Sequence, residues 1–294
     1  MGRPTAALAA ALVLTATAAP AREAPEPCRR YASKPKRVGR APAALGELSG
    51  LAASRRHPGV YWAHNDSGNG FELFAMREDG TLVAQVPLTG GTNVDAEDLA
   101  VGPCQRARAE SCIYLGDVGD NLERREELVV YEVVEPQTLT ERPLAARALP
   151  FRYADRPHNA EALLVDPDDA RLYLVTKEID SLGALYRIDD LGPGRVGRAV
   201  RLHGLSAPAG FDGLTTGGAV HPSGTRVLVR TYTQVWEYRG RPEQSLGAIL
   251  ATTPVAVPDA TQPQGEAVTY TPDGRGYLLA SELAAPIYRV DCAD

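Results

Sequence analysis

The residues in this chain best suited to chemistry are carboxylates that recur at a regular spacing. Glu97, Glu161, Asp212 and Glu266 each centre a five-residue phrase: a polar residue, a spacer, the acid, a small residue, then Leu or Val. The copies are Asp95-Ala96-Glu97-Asp98-Leu99, Asn159-Ala160-Glu161-Ala162-Leu163, Gly210-Phe211-Asp212-Gly213-Leu214 and Gln264-Gly265-Glu266-Ala267-Val268. A fifth, Glu47-Leu48-Ser49-Gly50-Leu51, carries serine at the centre. Successive centres lie 48, 64, 51 and 54 residues apart. Acids gathered at one level repel one another, and must be protonated, paired with bases or bridged by a cation. Calcium fits the last role, being a hard cation that takes roughly six to eight oxygen ligands. The metal ligands expected are Glu97, Glu161, Asp212, Glu266, Asp66 and Glu282, with Asn65 and Asn159 as neutral oxygens. The structural alternative is that the acids cap backbone N–H groups at junctions between repeats. Zinc is disfavoured, with few His residues and four Cys better used in disulfides.

Basic residues near the same phrases are few. Lys177 and Arg230 could hold an anionic substrate, with Asn65 as a neutral contact; salt bridges to neighbouring acids are the alternative. His64 is a candidate general base, and Glu161 and Glu97 are the carboxylates expected at the chemistry. A lone His is more often simply hydrogen-bonded. Two Asx-rich loops, Asn65-Asp66-Ser67-Gly68-Asn69 and Asp117-Val118-Gly119-Asp120-Asn121, could wrap a cation, but neither has the EF-hand spacing. For Asp120 and Asn121 an ordinary turn is preferred. No Gly-x-Ser-x-Gly elbow and no phosphate-cradling Gly-rich loop occurs.

Repetition at this period predicts the elements that position the acids. After each phrase comes a turn and a second β-rich run: Val60–Ala63, Cys112–Leu115, Leu172–Val175, Val227–Val229 and Tyr277–Leu279. Third runs follow, and fourth strands are expected at Leu82–Leu88, Ala148–Tyr153, Arg198–Leu202 and Thr253–Val257. Tyr61, Tyr114, Tyr173 and Tyr277 recur as packing residues. No stretch has sustained helical periodicity. The expected fold is all-β, a five-bladed β-propeller whose last blade is completed by an N-terminal strand near Pro35–Ala43. The long second interval allows a sixth blade as the alternative, and is read as a loop insertion around Pro136–Arg147.

Residues 1–21 read as a secretory signal, with Arg3, a short apolar run and small-x-small cleavage sites. Residues 22–294 then form one domain, exported, with no membrane span and expected as a monomer. That mature chain has 30 Lys+Arg against 37 Asp+Glu, a net charge of −7, which disfavours nucleic acid as a partner. Four Cys in an exported chain point to two disulfides with three pairings open; spacing favours Cys104–Cys112 across a hairpin, leaving Cys28–Cys292 to tie the ends.

The phrase Asp95-Ala96-Glu97-Asp98-Leu99 with Ile113-Tyr114-Leu115-Gly116-Asp117, and Gly265-Glu266-Ala267-Val268 with Tyr277–Glu282, resemble repeats of exported bacterial propellers. The groups resembled are the SdiA-regulated-type and the esterase-like or phytase-like propellers, and more distantly calcium-dependent lactonases and phosphotriesterases. The resemblance implies calcium on the propeller axis and, in the phytases, phosphate-ester hydrolysis by metal-activated water. It implies metal or water ligands at Glu97, Glu161, Asp212 and Glu266, and substrate anchors at Lys177 and Arg230. The chain departs from the phytases in having few basic residues near these motifs. The function expected is hydrolysis of an ester or phosphoester at an acidic, calcium-binding mouth that takes a small or anionic ligand. The alternative is a non-catalytic binding propeller, with glycoside hydrolysis a third reading that the near-equivalence of the acids argues against.

Overall fold

The computed structural model describes residues 25–179, 181–192, 194–206, 214–283 and 286–294. The signal segment expected at 1–21 therefore lies outside the described residues, as does Asp212. A short strand, β1 (Lys36–Arg40), comes first. Four antiparallel meanders follow: β2 (Leu48–Ala53) to β5 (Leu82–Thr89), β6 (Ala96–Pro103) to β9 (Leu144–Tyr153), β10 (Ala160–Val165) to β13 (Gly197–Gly204), and β14 (Thr215–Val220) to β17 (Val255–Val257). The chain ends with β18 (Gly265–Tyr270), β19 (Gly276–Ser281) and β20 (Pro286–Asp291). β1 pairs antiparallel with β20, Lys36 opposite Arg289 and Arg40 opposite Pro286, and so supplies the fourth strand of the last sheet.

Parallel pairs of β9 with β5 and with β13 join the first three meanders into one twelve-stranded sheet, and β14–β17 and β1 with β18–β20 form two four-stranded sheets. Each meander packs as one sheet and begins with a strand that is buried almost throughout; in β10 all six residues are. Strands of this kind read as continuous apolar or small-residue runs because both faces are covered. One core lies between each sheet and the next. Trp62, Leu73 and Tyr131 pack between the first and second sheets, and Tyr114, Leu163 and Tyr186 between the second and third. Tyr173, Val229 and Tyr238 fill the third and fourth, and Leu228, Tyr277 and Val290 the fourth and last. Leu51, Phe74, Leu278 and Ile287 then join the last sheet to the first. The first strands touch in the same order, β2 to β6, β6 to β10, β10 to β14, β14 to β18, and β18 to β2. This is a propeller-like all-β fold. Tyr61, Tyr114, Tyr173 and Tyr277 are all buried packing residues, as their recurrence predicts.

The long second interval holds the connection expected around Pro136–Arg147 only in part, as residues 135–143 between the third and fourth strands of that meander. Leu144–Arg147 belong to β9, which runs ten residues. The remaining length sits in connections, including residues 118–127 between β7 (Ser111–Asp117) and β8 (Leu128–Val134). The sequence has no sustained helical period, and the single described helix, α1 (Leu246–Leu250), is one turn capped by the Ser245 hydroxyl and buried through Leu246, Ile249 and Leu250. Both expected disulfides are present: Cys104–Cys112 across the β6–β7 turn, and Cys28–Cys292 beside the Tyr31–Cys292 bridge. They fit an oxidising compartment outside the cytoplasm. No helix among the described residues is long and apolar enough to cross a membrane.

Candidate functional site

The acidic phrase corresponds to a backbone device. Where each first strand begins, its pairing with the second strand slips by an extra residue: between Leu48 and Gly50, Ala96 and Asp98, Ala160 and Ala162, Thr215 and Gly217, and Gly265 and Val268. Bulges of this kind re-aim side chains. The residues within the slips are Ser49, Glu97, Glu161, Thr216 and Glu266, the last with Ala267. The fourth bulge falls on Thr216, and Asp212 lies outside the described residues. A sequence signal for this exists. An Xaa-Pro turn starts five residues after Glu161, Thr216 and Glu266, at Asp166-Pro167, His221-Pro222 and Thr271-Pro272.

The second strands end at the same level, since Leu48 faces Asn65, Ala96 faces Asp117, Ala160 faces Thr176, Thr215 faces Thr231 and Gly265 faces Ser281. The next residues are Asp66, Val118, Lys177, Tyr232 and Glu282. Asp66, Asp95 and Glu97 converge, each offering an oxygen within 4.8 Å of the others'. A Cβ on Gly119 would lie 2.3 Å from Glu97 Oε1 and 2.5 Å from Asp95 Oδ2, so glycine makes room for the pair. Oxygens bound to one calcium at about 2.3–2.6 Å are at most about 5 Å apart, and the three carboxylates fit that span.

The neighbouring acids are held by neutral and basic partners. Glu161 Oε1 accepts from Asn159 Nδ2 at 3.0 Å and from Lys177 Nζ at 3.0 Å. Lys177 also donates to the Tyr232 hydroxyl, at 3.0 Å. Gln264 Nε2 donates to Glu266 Oε1 at 2.9 Å and to Glu282 Oε2. Burial and then the nearby charges of Glu161, Asp66 and Asp95 hold Glu97 well above the ordinary carboxylate range. Burial raises Glu161 too, opposed by Lys177 and Asn159. Glu266 is pushed up to about 8, by burial first and the Glu161 charge second. Burial likewise raises Asp66, Asp95 and Glu282. For Lys177 burial works toward neutrality, but Glu161 and Tyr232 outweigh it and keep the amine charged.

Three expected site residues are used elsewhere. His64 and Arg230 occupy the same register position, opposite Gly50 and Gly217, and Arg230 reaches across to β18 and β19. His64 is 1% exposed, its Nδ1 on the Asn65 carbonyl and its Nε2 within 2.5 Å of where a Gly50 Cβ would stand. Burial lowers it to about 4, and the ring presents almost no surface to solvent. Arg230 is fully buried, donating to the Ala267 and Ala280 carbonyls and to Gln262; it has no face to offer an anion. Asn65 clamps the incoming chain, donating to the Ala44 carbonyl and accepting from Glu47 N. Asp120 and Asn121 form the preferred turn: Asp120 accepts from Arg125 N, and Asp120 N and the Asn121 amide oxygen hold Asn159.

Sequence reasoning missed Tyr232, Gln264, Gly119 and Asp98. Tyr232 could have been found, since it follows its second strand as Lys177 and Glu282 follow theirs. Asp98 is 1% exposed and accepts from Leu99 N at 2.8 Å, Leu163 N at 3.0 Å and Gly218 N at 3.2 Å. It ties β6, β10 and β14 together across the axis, which is the N–H-capping use the sequence allowed, at the residue beside the expected one.

No protein-family model matches the chain, and no curated protein sequence does; the resemblance to SdiA-regulated-type and phytase-like propellers finds no sequence-level match. Similar solved structures include the soluble aldose sugar dehydrogenase of Escherichia coli in its apo-form, at 12% identity, TM-score 0.47, covering 88% of this chain and 99% of that one. The gluconolactonase XC5397 of Xanthomonas campestris is similar at 15% identity and TM-score 0.47, covering 92% and 99%. Hydrazine synthase of Kuenenia stuttgartiensis is similar at 11% identity and TM-score 0.45, covering 84% of each.

Proposed function

We propose that this protein is an exported, monomeric, five-bladed propeller closed by β1, whose acidic mouth binds calcium and hydrolyses an ester or phosphoester. The closed five-blade reading is supported by the cyclic packing of β2, β6, β10, β14 and β18 and by the core that joins the last sheet to the first. The observation that carries the functional reading is the convergence of Asp66, Asp95 and Glu97 within 4.8 Å. These three side chains are the proposed ligands, with Glu161, Glu266 and Glu282 completing the acidic surround. A bound cation polarises an ester oxygen and acidifies water. Glu161, fixed by Asn159 and Lys177, is the proposed acceptor of the water proton, and Lys177 with Tyr232 orients the substrate. The surplus of acids over bases at this mouth disfavours nucleic acid.

The test is turnover of aryl esters, lactones and aryl phosphates by the purified protein, with calcium and with chelator. Calcium-dependent hydrolysis that is lost in Glu161→Gln supports the reading. Calcium binding with no turnover of any class converts it to a non-catalytic binding propeller. No response to calcium in either activity or melting temperature overturns it.

A further inference from the structure

The channel has a second chamber at the end away from the acids. A cavity of about 520 Å³ is lined by the later residues of the first strands and the turns that follow them. Ligand sites in proteins span roughly 300–1,000 Å³ and are largely pre-formed. This one has a stiff rim, because Pro58, Pro167, Pro222 and Pro272 each come from a different turn around the opening. Proline fixes its own φ, so such a rim loses little entropy on binding.

The floor is set by Asp98. Its three N–H partners include Leu99, Leu163 and Gly218, which line the cavity. The carboxylate therefore braces the axis between the two ends, with the acidic mouth on one side and the cavity on the other. The walls include apolar side chains that are not fully buried, Val101 and Val220 among them. The chamber lining includes one Arg and one Asp, Arg55 and Asp168. His221, also at the wall, is held neutral by burial and is bonded to Ser223 and the Gly274 carbonyl. Arg55 has no hydrogen bond or ion pair among the described residues, although Glu135 lies near enough to act on it electrostatically. Arg55 and Asp168 are both exposed at the rim, where water screens them in part, and Arg55 is the cation of the lining.

The geometry points to a second ligand site here, for a small molecule with an apolar body and one anionic group, the anion meeting the Arg55 guanidinium. A planar guanidinium suits carboxylate or sulfonate oxygens. The site is independent of any activity at the acidic mouth.

The probe is the aromatic sulfonate anilinonaphthalene sulfonate, titrated by fluorescence into folded wild-type protein well below its melting temperature. One saturable equivalent is expected. Arg55→Glu should weaken it about tenfold or more, the equivalent of losing a charged hydrogen bond, and Arg55→Gln should weaken it less than Arg55→Glu. Pro58→Trp, at the exposed rim, should weaken it by obstruction. Each variant is checked for an unchanged far-ultraviolet spectrum and cooperative melting. Absence of saturable binding by wild type overturns the proposal. So does undiminished binding in folded Arg55→Glu and Arg55→Gln.

Discussion

Glu97 and Asp98 are adjacent carboxylates with opposite uses. Asp98 points into the fold and accepts three backbone N–H groups, whereas Glu97 sits at the bulge beside Asp66 and Asp95. Asp98→Ala should therefore destabilise the protein by about 2–5 kcal/mol, since it orphans buried donors; denaturant unfolding measures this, and a loss below about 1 kcal/mol would contradict the brace. The acids at the mouth behave differently with pH. Glu266 titrates at about 8 when folded, against 4.5 for an ordinary Glu. Between those values the folded state holds a proton that the unfolded state has released, so stability without metal falls as pH rises through that window. The slope is at most about 1.4 kcal/mol per pH unit for this one group. Glu266→Gln should make the fall shallower, leaving the part owed to Glu97 and Glu161, which are raised as well, and calcium should reverse it, because a bound cation favours the ionised acids; melting curves from pH 5 to 8 with calcium or chelator check both. Residue type made Glu97, Glu161 and Glu266 legible in the sequence. It gave no sign of the bulge at Thr216 or of the burial of Arg230, which is signalled only by the facing glycines Gly217 and Gly265, a Cβ on the latter lying 2.5 Å from the guanidinium.

At the scale of elements, the repeated slip at each first strand explains why one phrase recurs. It aims a side chain at the axis while the strand continues as buried packing. Strand identity was legible because apolar runs and Xaa-Pro or Asx-Gly turns alternate throughout; strand length was not, and β9 begins four residues before the strand read from the sequence. The extension pairs with β8, Glu132 opposite Arg147, a cross-strand partnership that no local pattern announces. The β1–β20 pairing and the Cys28–Cys292 bridge close the last sheet from the other end of the chain. A link across 264 residues constrains the unfolded chain strongly. Replacing both cysteines by serine should cost about 2–5 kcal/mol, with the loss appearing in thermal unfolding. The same replacement at Cys104 and Cys112, eight residues apart, should cost less, and the reverse ranking would contradict the closing role of the terminal bridge.

At the scale of the whole molecule, stacking each sheet on the next and the last on the first brings one end of every first strand to a common mouth. That arrangement makes widely separated carboxylates neighbours. Lys177 is already committed to Glu161 and Tyr232, so the proposed divalent cation would relieve the mutual repulsion of these acids. The most direct measurement is isothermal titration of calcium into chelator-treated protein near pH 8. The account predicts a single saturable equivalent in wild type, weakened at least tenfold by Asp95→Asn and by Glu97→Gln. Absence of calcium binding in the folded wild type, or binding that both substitutions leave untouched, would contradict it.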